Sequence, residues 1–216
     1  MDKKEQFEKY MEGILQWNEK INLTAIKERE EFWVKHIIDS LAITELPEYQ
    51  EGKTVLDIGT GAGFPGAILA INDPEKKFYL LDALKKRLNV IDTLLLEQDV
   101  KNVTTLHGRA EDYARDSKYR ESFDIVTSRA VSNLPVLLEY ALPYVKVGGY
   151  FIAYKATEEE EYSKALKILG GEYVRTESSK MEKYGISHNL MVFRKVKNTP
   201  SAYPRKAGTV DKKPLK

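Results

Sequence analysis

Asp57-Ile58-Gly59-Thr60-Gly61-Ala62-Gly63-Phe64-Pro65-Gly66 follows a short apolar run, Thr54 to Ile58, and leads into a helical pattern beginning near Pro65, a residue suited to a first helical turn. Strand, glycine loop and helix, in that order, build the nucleotide site of open α/β sheets. The glycines permit a tight turn and let the backbone come close to a ligand. An acid ending the second strand can accept hydrogen bonds from both ribose hydroxyls, and Asp82 stands at that place, just after the run Lys77 to Leu81.

Outward from this loop the pattern repeats. Val103 to Leu106, Phe123 to Thr127 and Tyr150 to Tyr154 read as further strands, the last after Gly148-Gly149, and extended segments follow around Glu172 to Thr176 and Leu190 to Phe193. Helical patterns fill the gaps. One is expected near Glu158 to Leu169, where the acids Glu158-Glu159-Glu160-Glu161 would favour the positive end of the helix dipole. Alternation of near-continuous apolar strands with helices predicts an α/β fold: a mostly parallel seven-stranded sheet with helices on both faces. Upstream, Phe7, Tyr10, Met11, Ile14 and Leu15 recur at helical spacing, as do Trp33, Val34, Ile37, Ile38 and Leu41. The expected organisation is an N-terminal helical extension over 1–50 packing on the core, a Rossmann-like domain over 51–197, and a basic tail over 198–216.

The 216 residues include 34 basic and 33 acidic side chains and no cysteine. Disulfides, thiolate metal sites and cysteine nucleophiles are thereby excluded. No apolar run approaches the ~20 residues of a membrane-spanning helix, and no apolar signal segment precedes the first helix, so a soluble, cytoplasmic protein is expected. The near-zero net charge hides an asymmetry. Arg194 to Lys216 holds eight Lys or Arg against the single acid Asp211, a charge of +7, and the remainder of the chain carries −6. A basic terminus on an acidic body suits contact with a polyanion, and equally a solvated end.

A dinucleotide fingerprint needs glycine at the sixth position counted from Gly59, which is Phe64 here, and no Gly-Lys-Ser/Thr closes a P-loop. Glycines at the first, third and fifth positions, with Asp57 two residues before them, resemble the first motif of Rossmann-like S-adenosylmethionine (SAM) methyltransferases. The chemistry agrees: SAM has no pyrophosphate, and its ammonium group favours a carboxylate that phosphates would repel. A structural turn or another nucleotide remain the alternatives. Candidate cofactor-binding residues are Asp57, Gly59, Gly61, Gly63, Asp82, Ala110 and Glu111 after the third strand, and Arg129 at the carboxyl edge of the sheet.

Methyl transfer from a sulfonium is a displacement in which the enzyme mainly aligns nucleophile, carbon and sulfur. Methylation at pyrimidine carbon-5 uses a cysteine, which this chain lacks. Exocyclic amines usually need an Asn/Asp-Pro-Pro-aromatic loop, where this chain has Ser128-Arg129-Ala130-Val131. A ring nitrogen such as guanine N7 already presents a lone pair and needs no general base. A small-molecule acceptor fits the same absence.

Nearly the whole chain resembles the ribosomal RNA small-subunit methyltransferase G family, also called glucose-inhibited division protein B. The likeness rests on Asn22-Leu23-Thr24-Ala25-Ile26, His36-Ile37-Ile38-Asp39-Ser40-Leu41, the glycine loop, Leu81-Asp82 with Lys86-Arg87, Ser128-Arg129-Ala130, and Thr199-Pro200 with Tyr203-Pro204-Arg205-Lys206-Ala207-Gly208. The chain departs from the family's usual residues at Ala83, Ala156 and Thr209-Val210. The resemblance implies a bacterial cytoplasmic enzyme that methylates N7 of a guanine in the decoding region of 16S rRNA, acting as a monomer on the RNA or the small subunit without metal or membrane. It also implies that Phe64, Ala83 and Leu84 join the cofactor site and that Arg129 positions the substrate at the methyl group. His36, Lys155, Arg205 and Lys206 would contact RNA. A small-molecule methyltransferase and a non-enzymatic ribosome assembly factor are the competing readings.

Overall fold

The computed structural model describes residues 2–129, 132–155, 161–181, 186–206 and 208–215. Helix α1 (Lys3–Asn18) is capped by Asp2, whose carboxylate accepts the Glu5 amide. After an extended connection come α2 (Arg29–Phe32), a π-helical stretch (Trp33–Ile38) and α3 (Asp39–Leu41), which together form one continuous rod. A 3-10 turn (Ala42–Glu45) and α4 (Pro47–Glu51) bring the chain to β1 (Thr54–Ile58). Then follow α5 (Gly66–Asn72), β2 (Lys77–Asp82), α6 (Lys85–Leu96), β3 (Val103–His107), α7 (Ala110–Tyr113), β4 (Phe123–Arg129) and α8 (Leu134–Ala141). A 3-10 turn (Leu142–Tyr144), β5 (Val145–Lys155), α9 (Ser163–Leu169), β6 (Gly171–Met181), β7 (Ile186–Lys195) and α10 (Thr209–Lys212) complete the order.

The seven strands form one sheet in the order β3-β2-β1-β4-β5-β7-β6. β1 to β5 run parallel, and β7 enters antiparallel between β5 and β6. Alternate side chains feed opposite faces. On one face Leu56, Ile58, Val126 and Phe151 pack against Leu137, Leu138, Leu166 and Leu169 of α8 and α9. On the other, Val55, Ile125 and Ile152 meet Ile43, Tyr49 and Leu69. Phe7, Tyr10, Met11 and Ile14 of α1 share a further cluster with Ala67, Ile68, Leu88 and Ile91 of α5 and α6. All of these core side chains are buried.

Three boundaries differ from the sequence expectation. The helix expected from Glu158 starts at Ser163, so Glu161 precedes it, and Glu158 to Glu160 lie outside the described residues, as do Ala130, Ala156 and Ala207. Pro65 caps α5 rather than occupying its first turn. β5 begins before Gly148-Gly149, because the register shift between Phe123 and Ile125 absorbs the extra residues.

The basic C-terminal stretch lies against the body. Arg120 donates to the carbonyls of Thr199 (2.8 Å), Pro200 (3.3 Å) and Tyr203 (2.9 Å), and Arg115 to that of Pro204 (2.5 Å). Glu121 accepts from the Thr199 amide, and the buried Lys195 ammonium binds Glu121 and the carbonyls of Leu142 and Val145. Tyr203 and Leu215 rest on the main core, and Val210 is buried against Val136 and Tyr140. No described helix is long and apolar enough to cross a membrane.

Candidate functional site

β1, β2 and β4 end side by side, and their final two residues deliver Asp57, Asp82 and Arg129 to one edge of the sheet. The glycine loop turns there. Gly59 and Thr60 both donate to the Leu81 carbonyl, at 2.8 and 3.1 Å, which ties the loop to β2. Gly63 has φ +92, and a Cβ there would lie 2.2 Å from the Tyr10 hydroxyl. Only glycine allows both this backbone and this approach. The same hydroxyl donates to the Ala62 carbonyl at 2.9 Å, so α1 holds the loop from outside.

Asp57 is fully buried. Its Oδ2 accepts from the Thr60 hydroxyl (2.6 Å) and the Gly66 amide (2.9 Å), which fixes the turn into α5. Its Oδ1 is buried without a partner among the described residues. Burial is the main cause that pushes this carboxyl up to about 6, against the pull of those two hydrogen bonds and of Arg129. A buried acceptor without a donor is costly, and a cationic donor at this point would satisfy it and favour the charged carboxylate.

Asp82, also buried, accepts from the Gly61 amide (2.9 Å) on one oxygen and the Leu84 amide (2.7 Å) on the other. Arg87 stands 3.9 Å from it. Ala83 and Leu84 are exposed beside this acid, Leu84 at 44 %, an apolar surface suited to an adenine face. At the end of β3, Ala110 is partly buried and its carbonyl accepts from Tyr144 at 2.5 Å, while Glu111 is buried in the first turn of α7. The loop, Asp82, Ala83-Leu84 and Ala110-Glu111 thus follow one another across the carboxyl ends of β1, β2 and β3.

Arg129 occupies the opposite side. Its Nη1 donates to Asp39 at 2.6 Å and to the Lys35 carbonyl at 3.1 Å, and its Nη2 lies 3.2 Å from Nδ1 of His36. The guanidinium sits over the Phe64 ring, 5.5 Å from its centre, and His36 stacks on Phe64 at 4.4 Å. A guanidinium can only donate, so Nδ1 of His36 accepts and Nε2 carries the proton, which it gives to the Thr24 hydroxyl at 2.8 Å. Burial first, and then Arg129, hold His36 down to about 3. It is therefore a neutral fixture of the site. The π-helical stretch is what turns both His36 and Asp39 toward Arg129.

Ser128 donates to the Ile58 carbonyl at 2.8 Å and Thr127 to that of Ile152, so these hydroxyls lock strand ends together. Lys155 donates to the Ser132 carbonyl at 3.0 Å. Arg205, an expected RNA contact, is bound to a carboxylate of the chain itself. Its guanidinium and amide make four hydrogen bonds to Glu139, a fully buried carboxylate on α8, so it faces inward; Lys206 is exposed. The sequence assigns no site role to Tyr10, which stands in a helical pattern, to Thr24 and Asp39, which stand in two of the shared motifs, or to Glu139. A lone acid inside the apolar helix Leu134-Pro135-Val136-Leu137-Leu138-Glu139-Tyr140-Ala141 was the available signal for the last. A cleft of about 980 Å3 opens on the outer side of Thr24 and Arg87, the residues that back His36 and Asp82.

Sheet order and glycine loop together define a Rossmann-like methyltransferase fold. Solved structures agree in fold: MtNAS in complex with MTA and tNA superposes with a TM-score of 0.60 at 13 % identity, covering 89 % of this chain and 70 % of that one. TYW2 from M. jannaschii, in complex with AdoMet, gives 0.51 at 19 %, covering 68 % and 70 %. The family model described as rRNA small subunit methyltransferase G matches residues 3–190. Relatives named ribosomal RNA small subunit methyltransferase G are 49 % identical in Clostridium novyi, over 99 % of this chain and 90 % of that protein, and 50 % identical in Clostridium botulinum strain Eklund 17B, over 99 % and 92 %. The chain belongs to the rRNA small subunit methyltransferase G family.

Proposed function

We propose that this chain transfers a methyl group from SAM to N7 of a guanine in the decoding region of bacterial 16S rRNA, acting in the cytoplasm as one chain on the free RNA or the small subunit. SAM supplies an electrophilic methyl on a sulfonium and leaves as the neutral thioether. Asp57 would hold the ammonium end through its unpartnered Oδ1, Asp82 the ribose, and Leu84 with Ala110 and Glu111 the adenine. Gly59, Gly61 and Gly63 shape the cradle between them.

The observation that carries the acceptor is the state of His36. The imidazole beside Arg129 has both ring nitrogens engaged and is held far below its ordinary range, so it is not placed to take a proton. A nucleophile that already owns a free lone pair suits such a site. Arg129 orients the base. Arginine commonly grips guanine through O6 and N7 together, but N7 must face the methyl group, so one hydrogen bond to O6 over the Phe64 platform is the arrangement that leaves the reaction open.

The test is methyl transfer from radiolabelled SAM to small subunits lacking the modification, with N7-specific strand cleavage to locate the product. One N7-methylguanine in the decoding region is the expected result. SAM binding without incorporation into subunits, precursors or naked rRNA would overturn the reading in favour of a small-molecule acceptor or an assembly role.

A further inference from the structure

Glu139 has no exposed surface, and its two oxygens take four hydrogen bonds from a single residue, the Arg205 amide, Nε and Nη2. The fork holds Nε and Nη2 against a buried carboxylate, so a phosphate could reach only the remaining Nη1 edge of Arg205 without leaving Glu139 unpaired. The chain is fastened on both sides of this pair. Before it, Arg120 and Arg115 hold the carbonyls of Tyr203 and Pro204. After it, Val210 is buried against α8, the Tyr140 hydroxyl donates to Asp211 at 2.8 Å, and Leu215 rests on the core. Between and beside these anchors Lys206, Lys212 and Lys213 are exposed and form no ion pair among the described residues. The one acid of the stretch, Asp211, is the one that Tyr140 engages. Ala110, where α7 begins, packs against the same small cluster as Val210 of α10, which ties this segment to the element that follows β3.

We propose that Glu139 and Arg205 are a positioning pair that holds the C-terminal segment as a folded phosphate-binding surface, with Lys206, Lys212 and Lys213 as the groups that meet RNA. This inference rests on the RNA reading above and reassigns Arg205 within it. Phosphate contacts fix register and orientation without reading sequence, which is the task of a surface placed beside the cofactor site rather than in it.

Glu139→Gln separates the two roles of Arg205 by sign. If Arg205 anchors the segment, the variant raises hydrogen exchange over 199–213, weakens binding to small-subunit rRNA several-fold, and raises KM for RNA while SAM affinity stays within twofold. If Arg205 is itself a phosphate ligand, freeing it tightens RNA binding or leaves it unchanged, and the proposal fails. A second variant, Lys206→Ala with Lys212→Ala and Lys213→Ala, guards against misfolding of the first. It should keep the exchange pattern of the native chain and flatten the slope of log affinity against log salt by about two to three. An unchanged slope overturns the surface assignment. Native chain that fails to bind small-subunit rRNA at all overturns the RNA reading and this inference with it; native binding with unaltered variants overturns this inference alone.

Discussion

The unpartnered oxygen of Asp57 and the imidazole of His36 have opposite consequences for stability against pH. Asp57 is raised to about 6 in the folded chain from an ordinary 3.8, so folding gains from its protonation as pH falls from about 6 toward 3.8. His36 is lowered to about 3 from 6.5, so its share of stability, complete above 6.5, is lost as pH falls toward 3. The two partly offset each other in the native chain. Asp57→Asn removes the gain and leaves the loss, so its Tm should drop more steeply than the native Tm between pH 6.5 and 4. Parallel curves in a calorimetric pH series would contradict this assignment. The same variant should weaken SAM at least tenfold at pH 7, read by titration calorimetry. Arg129→Ala should reduce turnover more than SAM affinity, and raise the midpoint of His36 by removing the adjacent cation; methyl incorporation, calorimetry and imidazole NMR read the three effects. Equal losses of turnover and SAM affinity would make Arg129 a cofactor ligand only.

Among the elements, the glycine loop is where sequence was most legible, because tight turns constrain residue type directly. Gly59, Gly61 and Gly63 all have positive φ, and the strand before and the helix after them lie where the apolar pattern put them. What holds the loop from outside was not legible. The Tyr10 to Ala62 hydrogen bond spans 52 positions, and in the sequence Tyr10 is only one more apolar residue of an amphipathic helix. Tyr10→Phe leaves a buried carbonyl without its donor and should cost about 1–3 kcal/mol in chemical denaturation. Gly63→Ala should cost more, since the added methyl would meet the Tyr10 hydroxyl on a backbone with φ +92. A Gly63→Ala protein as stable as the native one would show that α1 can move away from the loop at little cost. The π-helical stretch was hidden for a related reason: apolar spacing in Trp33 to Leu41 predicts a helix but not the extra residue that aims His36 and Asp39 at Arg129.

For the molecule as a whole, charge counting gave the asymmetry of the chain but not its geometry. In the sequence the basic terminus suits a polyanion contact or a solvated end alike, and its anchoring was hidden because Glu139, the partner of Arg205, lies 66 positions upstream inside an apolar helix. Deleting everything after Lys197 therefore leaves a buried carboxylate alone, takes three carbonyl partners from Arg120, and uncovers the core under Tyr203 and Leu215. The unpaired carboxylate by itself is worth about 3–5 kcal/mol. The truncated chain should unfold at markedly lower urea than the full chain, and an unchanged midpoint would show that the segment adds nothing to stability. The N-terminal helices that brace the glycine loop have an optical consequence. Both tryptophans of the chain, Trp17 and Trp33, pack with the cluster formed by α1, α5 and α6, Trp33 edge-on to Phe7 at 6.5 Å. Indole emission thus reports on the bracing helices and on their packing against β2, away from β4 to β7. Far-ultraviolet dichroism follows the whole backbone. Recording the two signals together gives a label-free way to tell loosening of the loop's outer support from global unfolding, in one cuvette and without altering a residue.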